Sequence, residues 1–371
     1  MGLGIRPEFR YRGIEVLMYA LRALRGGPDR AVASRRVVAI HHAPSGSRLR
    51  EAAVTGGSGF LGSHLVHALR REGWTVTALA RTAPARRALE AAGCHVVDGD
   101  LHDEVALSTL VAGAGLVFHL AGLVAARSEA EFRRVNADGT AALTRAAAAT
   151  GVPRLIYVSS LAVTGPTVPG RPLDEHTVPR PLTAYARSKL GGEEAVRRSG
   201  IPFTIVRPPI VYGPRDRQLL RAMRLADHGI LPVLGDDAQE LSLVYAADLA
   251  DALIAAATSA ACEGRTYHAV HPTVVTQRRL GDAIADAIGR RGRRVRLPAP
   301  IVRLGLGLNG GVAWILGRST LLTGDKAAEL LAPAWTASGE ALARDAGWRA
   351  ATTLDLGLEM TVRWYREAGW L

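Results

Sequence analysis

Lysine and cysteine are both scarce in this chain. Of its 46 basic residues, 44 are arginine and only two are lysine, Lys189 and Lys326. The two cysteines, Cys94 and Cys262, form no CxxC pair, which argues against a disulfide-stabilised secreted domain and favours a reducing, cytoplasmic compartment. No nucleic-acid-binding motif accompanies the net charge of +12, so a nucleic-acid partner is not predicted.

Long hydrophobic runs are also missing. The apolar stretch of residues 304–317, LGLGLNGGVAWILG, is broken by glycines and an asparagine. Since a bilayer crossing needs about 20 apolar residues, no transmembrane helix is predicted. The N-terminal run IEVLMYALRAL contains Glu15 and Arg22 and has no clear cleavage site, so it does not predict a secretory signal.

Positive charge is concentrated in residues 1–50, which carry +7, whereas the other 321 residues carry +5. Within this basic extension, residues 12–25 predict a helix with one apolar face, formed by Ile14, Leu17, Met18, Leu21 and Leu24. Two interpretations stay open. The helix packs on the body of the protein, or it lies as a basic amphipathic helix on an anionic membrane surface.

From residue 51, strand and helix patterns alternate. EAAVTGG, WTVTALA, CHVVDGD, GLVFHLAG and RLIYVSS predict strands, and the segments between them predict helices, including one long helix over SEAEFRRVNADGTAALTRAAAATG. This alternation predicts an α/β fold, a Rossmann-type doubly wound parallel sheet over residues 51–205. Residues 206–371 lose the repeating unit and mainly predict a smaller C-terminal α+β lobe that binds substrate.

A glycine turn follows the first predicted strand. TGGSGFLG places Gly56, Gly59 and Gly62 between a strand and a helix, where glycines permit a tight turn, close approach of a pyrophosphate and close helix packing. The helix N-terminus then offers free N–H groups to the anion. We expect a dinucleotide to bind here, although such a turn is also found where it only packs.

The end of the second strand indicates which dinucleotide is bound. An acidic residue there would bind the ribose of NAD, but the sequence ALART supplies Arg81, which suits the 2′-phosphate of NADP. NADP is therefore favoured over NAD. Asp100, after the third strand, is placed to bind the adenine edge, or else to cap the next helix.

The segment YARSK places Tyr185 and Lys189 four residues apart, on one helix face. A phenol with a pKa near 10 is a poor acid or base at neutral pH, and a nearby ammonium lowers that pKa. A compact lysine can do this and also reach a ribose, which explains why an arginine-rich chain retains it. Ser159 and Ser160, at the preceding strand end, are both candidates to hold a substrate oxygen.

Several segments together resemble a known family. TGGSGFLG, HLAG, VNADGT, VSSLAVTGP, YARSK and VRPPIVYGP occur in the order found in extended short-chain dehydrogenases/reductases. The resemblance covers roughly residues 51–371 and is nearest to the 3β-hydroxysteroid dehydrogenase and dihydroflavonol reductase branch. Residues 1–50 lie outside it.

The resemblance implies Tyr185 as acid and base, Lys189 as its electrostatic partner and Ser160 as the donor to the substrate oxygen. It also implies that Asn136 has a structural role beside the cofactor and that Arg207 and Pro208 flank the nicotinamide. The implied cofactor-binding residues are Gly56, Gly59, Phe60, Leu61, Gly62, Arg81, Asp100, Leu101, Ala121, Gly122, Lys189 and Pro208. No metal site is predicted, because the pairs His41/His42 and His64/His67 lack a third ligand at suitable spacing.

The predicted function is hydride transfer between nicotinamide and a secondary alcohol or ketone of an apolar, cyclic substrate of sterol, isoprenoid or polyketide type. The first alternative is a nucleotide-sugar epimerase or dehydratase. Such relatives place Asn and Arg against a diphosphate where this chain has Pro209 and Leu241. The second alternative is a noncatalytic NADP-binding regulator, but these tend to lose the Tyr/Lys pair. A homodimer is compatible with the sequence, which does not decide the oligomeric state.

Overall fold

The computed structural model describes residues 50–315 and 325–371. The predicted helix over residues 12–25 lies outside the described residues, as do residues 316 and 317 of the apolar stretch. Within the described ranges, no helix has the length and apolar character needed to cross a membrane.

Fourteen strands are present in the described ranges. In chain order they are β1 (Glu51–Thr55), β2 (Thr75–Ala80), β3 (His95–Asp98), β4 (Leu116–His119), β5 (Leu155–Val158), β6 (Phe203–Arg207), β7 (Ile210–Tyr212), β8 (Ile230–Leu234), β9 (Glu240–Leu241), β10 (Leu243–Tyr245), β11 (Arg265–His268), β12 (Val275–Thr276), β13 (Arg293–Leu297) and β14 (Ala334–Trp335).

The described α-helices connect and cover these strands. They are α1 (Phe60–Arg71), α2 (Ala83–Ala91), α3 (Glu104–Val111), α4 (Glu129–Arg133), α5 (Gly139–Ala149), α6 (Ala184–Arg197), α7 (Arg217–Asp227), α8 (Ala246–Thr258), α9 (Gln277–Ile288), α10 (Ala299–Ile315), α11 (Lys326–Leu330), α12 (Glu340–Ala346) and α13 (Leu354–Glu367).

Seven strands form one parallel sheet in the order β11-β6-β5-β4-β1-β2-β3. The strand order reverses between β1 and β4, and ligands of open α/β sheets bind at such a point, beyond the carboxyl ends of the strands. This arrangement confirms the predicted Rossmann-type fold. It also brings the glycine turn after β1 and the segment after β4 to one edge of the sheet.

Both faces of the sheet are covered by apolar side chains of helices. Leu65 and Leu69 of α1 pack with Leu253 of α8 on one face. Leu107 of α3 and Leu143 of α5 pack on the other. Because the strands are buried on both sides, their sequences are continuous apolar runs rather than alternating ones.

The boundary expected near residue 205 falls within β6, and β11, far beyond it, completes the sheet. Residues 206–371 therefore contribute to the sheet as well as to the smaller lobe. That lobe contains the pairs β7–β10 and β8–β13 and the three-stranded β12-β9-β14 group. Its apolar core includes Leu220, Ile284 and Tyr365 of α7, α9 and α13.

The long helix predicted over residues 128–151 forms as one continuous helix, although not as a regular α-helix. A π-helical turn, Arg134–Asp138, separates α4 from α5. Here Asn136 is 1% exposed and its side chain bonds to groups on two other segments, while its carbonyl accepts from the Thr140 hydroxyl (2.6 Å). These tertiary contacts hold the widened turn, and local helix periodicity could not have indicated them.

Candidate active site

The glycine turn after β1 has the geometry of an anion cradle. Gly56 has a left-handed φ of 75°, and a Cβ there would lie 2.6 Å from the Ala121 backbone nitrogen. A Cβ on Gly62 would lie 2.0 Å from the Gly56 carbonyl oxygen, so α1 packs directly on the turn. Gly59 precedes α1 and no side chain caps the helix. The first N–H groups of α1 therefore suit the pyrophosphate of a dinucleotide.

Beside this turn, a cavity of about 280 Å³ opens between the ends of β2 and β3, lined by Arg81, Gly99, Asp100, His102 and Asp103. The Arg81 side chain is exposed, and no carboxylate among the described residues pairs with it. Asp100 accepts a hydrogen bond from the His102 backbone (2.8 Å). The cavity is therefore lined by both Arg81 and Asp100, the two residues that the sequence predicted to bind the adenosine half of the cofactor.

Two other predicted cofactor residues, Leu101 and Phe60, have side chains that pack against protein groups. The Leu101 side chain is 5% exposed and packs against Gly139, where a Cβ would lie 2.9 Å from the Leu101 Cβ. Leu101 can therefore present only its backbone to a ligand. The Phe60 ring, at the start of α1, packs edge-on against His64 with ring centroids 5.7 Å apart.

The loop after β4 carries Ala121 and Gly122 and is fastened by Asn136. The Asn136 amide nitrogen donates to the Leu123 carbonyl (2.9 Å) and to the Ser188 hydroxyl (2.9 Å), while its oxygen accepts from the Leu123 N–H (2.7 Å). One buried amide thus links this loop to the helix that carries Tyr185. Its side chain acts as a structural brace, and its place beside a cofactor stays a prediction.

A directional chain of hydrogen bonds lies beneath this loop. The Thr140 hydroxyl donates to the Asn136 carbonyl, so its oxygen accepts from His119 Nε2 (2.8 Å), and His119 Nδ1 in turn accepts from the Thr55 hydroxyl (2.6 Å). Burial, and then the charge of Lys189, lower the pKa of His119 to about 3. His119 is therefore a neutral, fixed support rather than an acid or base.

Tyr185 and Lys189 lie on α6, whose N-cap is Thr183. The Lys189 side chain is 5% exposed, its Nζ donates to the Val158 carbonyl (2.7 Å), and it lies 4.3 Å from the centroid of the Tyr157 ring. The Ser160 hydroxyl, at the carboxyl end of β5, lies near enough to the Tyr185 phenol to act on its pKa. The fold therefore brings Ser160, Tyr185 and Lys189 together at the edge of the sheet where the glycine turn lies.

The electrostatics differ from the sequence expectation. We expected the Lys189 ammonium to lower the pKa of Tyr185. Instead, burial raises that pKa to about 12, although the hydrogen bond from Ser160 opposes the rise. Burial also lowers the pKa of Lys189 to about 7, and the carboxylate of Glu193 opposes that change. Desolvation is the largest cause for both groups because both lie inside the protein.

The structure distinguishes the two candidate serines. The Ser159 hydroxyl donates to Glu193 Oε1 (2.6 Å), and Glu193 forms a two-point ion pair with Arg207, at 2.7 Å for both contacts. Ser159 is therefore committed to a buried network, whereas Ser160 faces Tyr185. Ser160 also caps the short helical turn after β5, where its oxygen accepts from the Ala162 N–H (3.2 Å).

The placement of Arg207 beside the nicotinamide stays a prediction, but its side chain is committed to an ion pair. The guanidinium is 2% exposed and occupied by Glu193, because a buried charge requires a partner. Pro208 is buried next to it, and its carbonyl accepts from the Leu161 N–H (2.8 Å), which positions the turn that follows Ser160. Sequence reasoning missed Glu193, although its position four residues after Lys189, on the same helix face, was an available signal.

The histidines of α1 do not form a metal cluster. His64 Nε2 bonds to the Pro214 carbonyl (3.0 Å), and burial lowers its pKa. Among residues 50–315 and 325–371, no group of three histidine, cysteine or acidic side chains could hold a metal ion.

Comparison with known proteins agrees with this geometry. A model of the NAD dependent epimerase/dehydratase family matches residues 52–269. A ceramide reductase of Caulobacter vibrioides is 35% identical over 86% of this chain and 95% of its own length. A dTDP-4-dehydrorhamnose reductase of Mycobacterium tuberculosis is 32% identical over 72% of this chain and 88% of its own.

Among solved structures, the dTDP-glucose 4,6-dehydratase DesIV of Streptomyces venezuelae, with NAD bound, superposes with a TM-score of 0.69 at 24% identity, covering 86% of this chain and 98% of that one. This match shows the shared fold. Together with the family match, it identifies the chain as a member of the NAD-dependent epimerase/dehydratase family, the extended short-chain dehydrogenases/reductases. The protein is an NAD(P)-dependent enzyme of that class.

Proposed function

We propose that this protein is an NADP-dependent reductase of a ketone on an apolar, lipid-like substrate, and that the reverse reaction oxidises the matching secondary alcohol. The observation that carries this proposal is the group formed by Tyr185, Ser160 and Lys189 at the carboxyl edge of the sheet, beside the glycine turn. A bound nicotinamide supplies the hydride.

Tyr185 serves as the acid of this reaction. Because burial holds its pKa at about 12, the phenol is protonated at neutral pH and able to donate its proton to the carbonyl oxygen. The Ser160 hydroxyl, which lies near the phenol, is proposed to hold the same oxygen. Lys189 lies one turn further along α6 and stabilises the phenolate that the proton transfer leaves.

The substrate is expected to be apolar because two positions that would bind a nucleotide-sugar diphosphate lack polar side chains. Leu241 is 6% exposed, and Pro209 follows β6. The similarity to a ceramide reductase along nearly the full length of that relative supports a lipid-like substrate. We therefore extend the substrate class expected from the sequence to include acyclic lipids such as ketone analogues of ceramides.

The preference for NADP rests on Arg81. Its exposed guanidinium lines the cavity at the end of β2, where a ribose 2′-phosphate would be held.

Two further proposals rest on the sequence alone: contact of residues 12–25 with an anionic lipid surface, and a homodimer.

A nucleotide-sugar reductase is the second candidate, favoured by the similarity to dTDP-4-dehydrorhamnose reductase. Arg215 and Arg217, which flank the N-cap of α7, could supply phosphate contacts in place of Pro209 and Leu241.

Turnover of a substrate panel tests both candidates. Purified full-length protein would be mixed with NADPH and with ketone analogues of ceramides, ketosteroids or a dTDP-4-keto sugar, and NADPH consumption followed. We expect turnover with an apolar ketone, lost in Tyr185→Phe, and no binding of UDP or dTDP-glucose at millimolar concentration. Micromolar binding of a nucleotide sugar, or turnover of the keto sugar alone, would replace the first candidate with the second.

A further inference from the structure

The second lysine of the chain pairs with a buried carboxylate that acts on the catalytic tyrosine. Lys326 begins α11, a short helix of the smaller lobe, and forms an ion pair with Glu329 one turn later. The Glu329 residue is 7% exposed, which is unusual for a carboxylate and requires partners. Its backbone carbonyl is held by the indole N–H of Trp335 (2.7 Å).

Glu329 contacts the first turn of the catalytic helix. Its Oε1 accepts from the hydroxyl of Thr183 (2.7 Å), and the same hydroxyl oxygen accepts from the Ala186 N–H (3.2 Å) as the N-cap of α6. Asp325 adds a second contact, because its Oδ2 accepts from the Ala184 N–H (3.1 Å). Two carboxylates of the smaller lobe thus hold the positive end of the helix that presents Tyr185.

Groups from several elements face the Tyr185 phenol. Ser160 approaches from the end of β5, and Tyr157 lies on that strand. The Phe132 ring of α4 packs edge-on at 6.0 Å between ring centroids. Lys189 follows on α6 itself, and Glu329 contributes the negative charge that opposes ionisation of the phenol.

We propose that Glu329 is a positioning residue for Tyr185: its buried carboxylate fixes the first turn of α6, which presents the phenol, and places a negative charge near it. The importance of this for catalysis rests on the proposed function, in which Tyr185 acts as the acid. The placement and charge effect themselves do not depend on the substrate. The smaller lobe would then help to position the catalytic group.

Two variants separate charge from position. Glu329→Gln removes the charge but keeps an oxygen that can accept from Thr183. Thr183→Val removes the hydrogen bond while the Glu329 charge remains. The readout is the tyrosinate fraction of Tyr185, followed by NMR of ring-labelled tyrosine between pH 8 and pH 11 and assigned with Tyr185→Phe. This NMR measurement does not depend on turnover of any substrate.

We expect Glu329→Gln to raise the tyrosinate fraction at pH 11 roughly three-fold, as loss of a charge several ångströms away in a partly screened interior would. Thr183→Val should leave that fraction within error of the wild type. An unchanged fraction in Glu329→Gln, or an equal rise in Thr183→Val, would overturn the proposal. Failure of every ketone in the turnover assay would instead reject the proposed function and leave this measurement valid.

Discussion

Replacement of Lys189 by methionine should abolish turnover and yet stabilise the fold at neutral pH. Burial lowers the pKa of Lys189 from 10.5 to about 7. Since the folded-state pKa lies below the unfolded value, the native chain binds fewer protons than the unfolded chain between about pH 7 and pH 10. The free energy of unfolding therefore rises with pH across that window. The buried lysine destabilises the fold most at pH 7, the lower end of the window.

The linkage relation gives the size of the cost. For this shift it is about 4 kcal/mol at pH 7 and about 2 kcal/mol at pH 9. Methionine removes the cost and has a similar length, but it leaves the Val158 carbonyl without its donor, a loss of about 1–3 kcal/mol. We expect Lys189→Met to be more stable than the wild type by roughly 1–3 kcal/mol at pH 7, with the advantage gone near pH 9.

Urea unfolding at pH 7 and pH 9 measures this difference for the wild type and Lys189→Met. Lys326→Met is the matched control, because it removes the other lysine, which is partly exposed and paired with Glu329. Its stability relative to the wild type should be the same at both pH values. A Lys189→Met difference that does not change with pH, or a variant less stable than the wild type at pH 7, would refute the assigned cost of burial.

Three further predictions follow from the site. Tyr185→Phe should lower turnover about 10²–10⁴-fold with nearly unchanged NADP affinity, and a loss of only a few-fold would contradict its role as the acid. Arg81→Asp should move cofactor preference from NADP toward NAD in titrations of both. A wild type that binds NAD more tightly would disprove the role of Arg81. Glu193→Gln should lower the free energy of unfolding by about 3–5 kcal/mol because it leaves Arg207 buried and unpaired. Adding Arg207→Met should recover part of that loss, whereas strictly additive losses would show that the two residues are uncoupled.

Local patterns were sufficient for the sheet and the glycine turn. Apolar strands alternating with amphipathic helices predict a doubly wound parallel sheet, because each element must bury one or both faces. The spacing of Gly56, Gly59 and Gly62 between β1 and α1 predicts the anion cradle, since only glycine permits the left-handed turn and the close packing of the helix. The four-residue spacing of Tyr185 and Lys189 likewise places both on one helix face.

The sequence by itself thus determined the fold class, the cofactor turn and the tyrosine–lysine pair, each of which depends on residues close together in the chain. Tertiary structure alone decided which serine faces Tyr185, where Arg207 finds its carboxylate, and that Glu329 reaches Thr183 across 146 positions. It also decided the electrostatics. The cost of burying a charge depends on all the groups packed around it. Burial therefore raises the pKa of Tyr185, whereas the spacing of the Tyr185–Lys189 pair alone predicted a lower pKa.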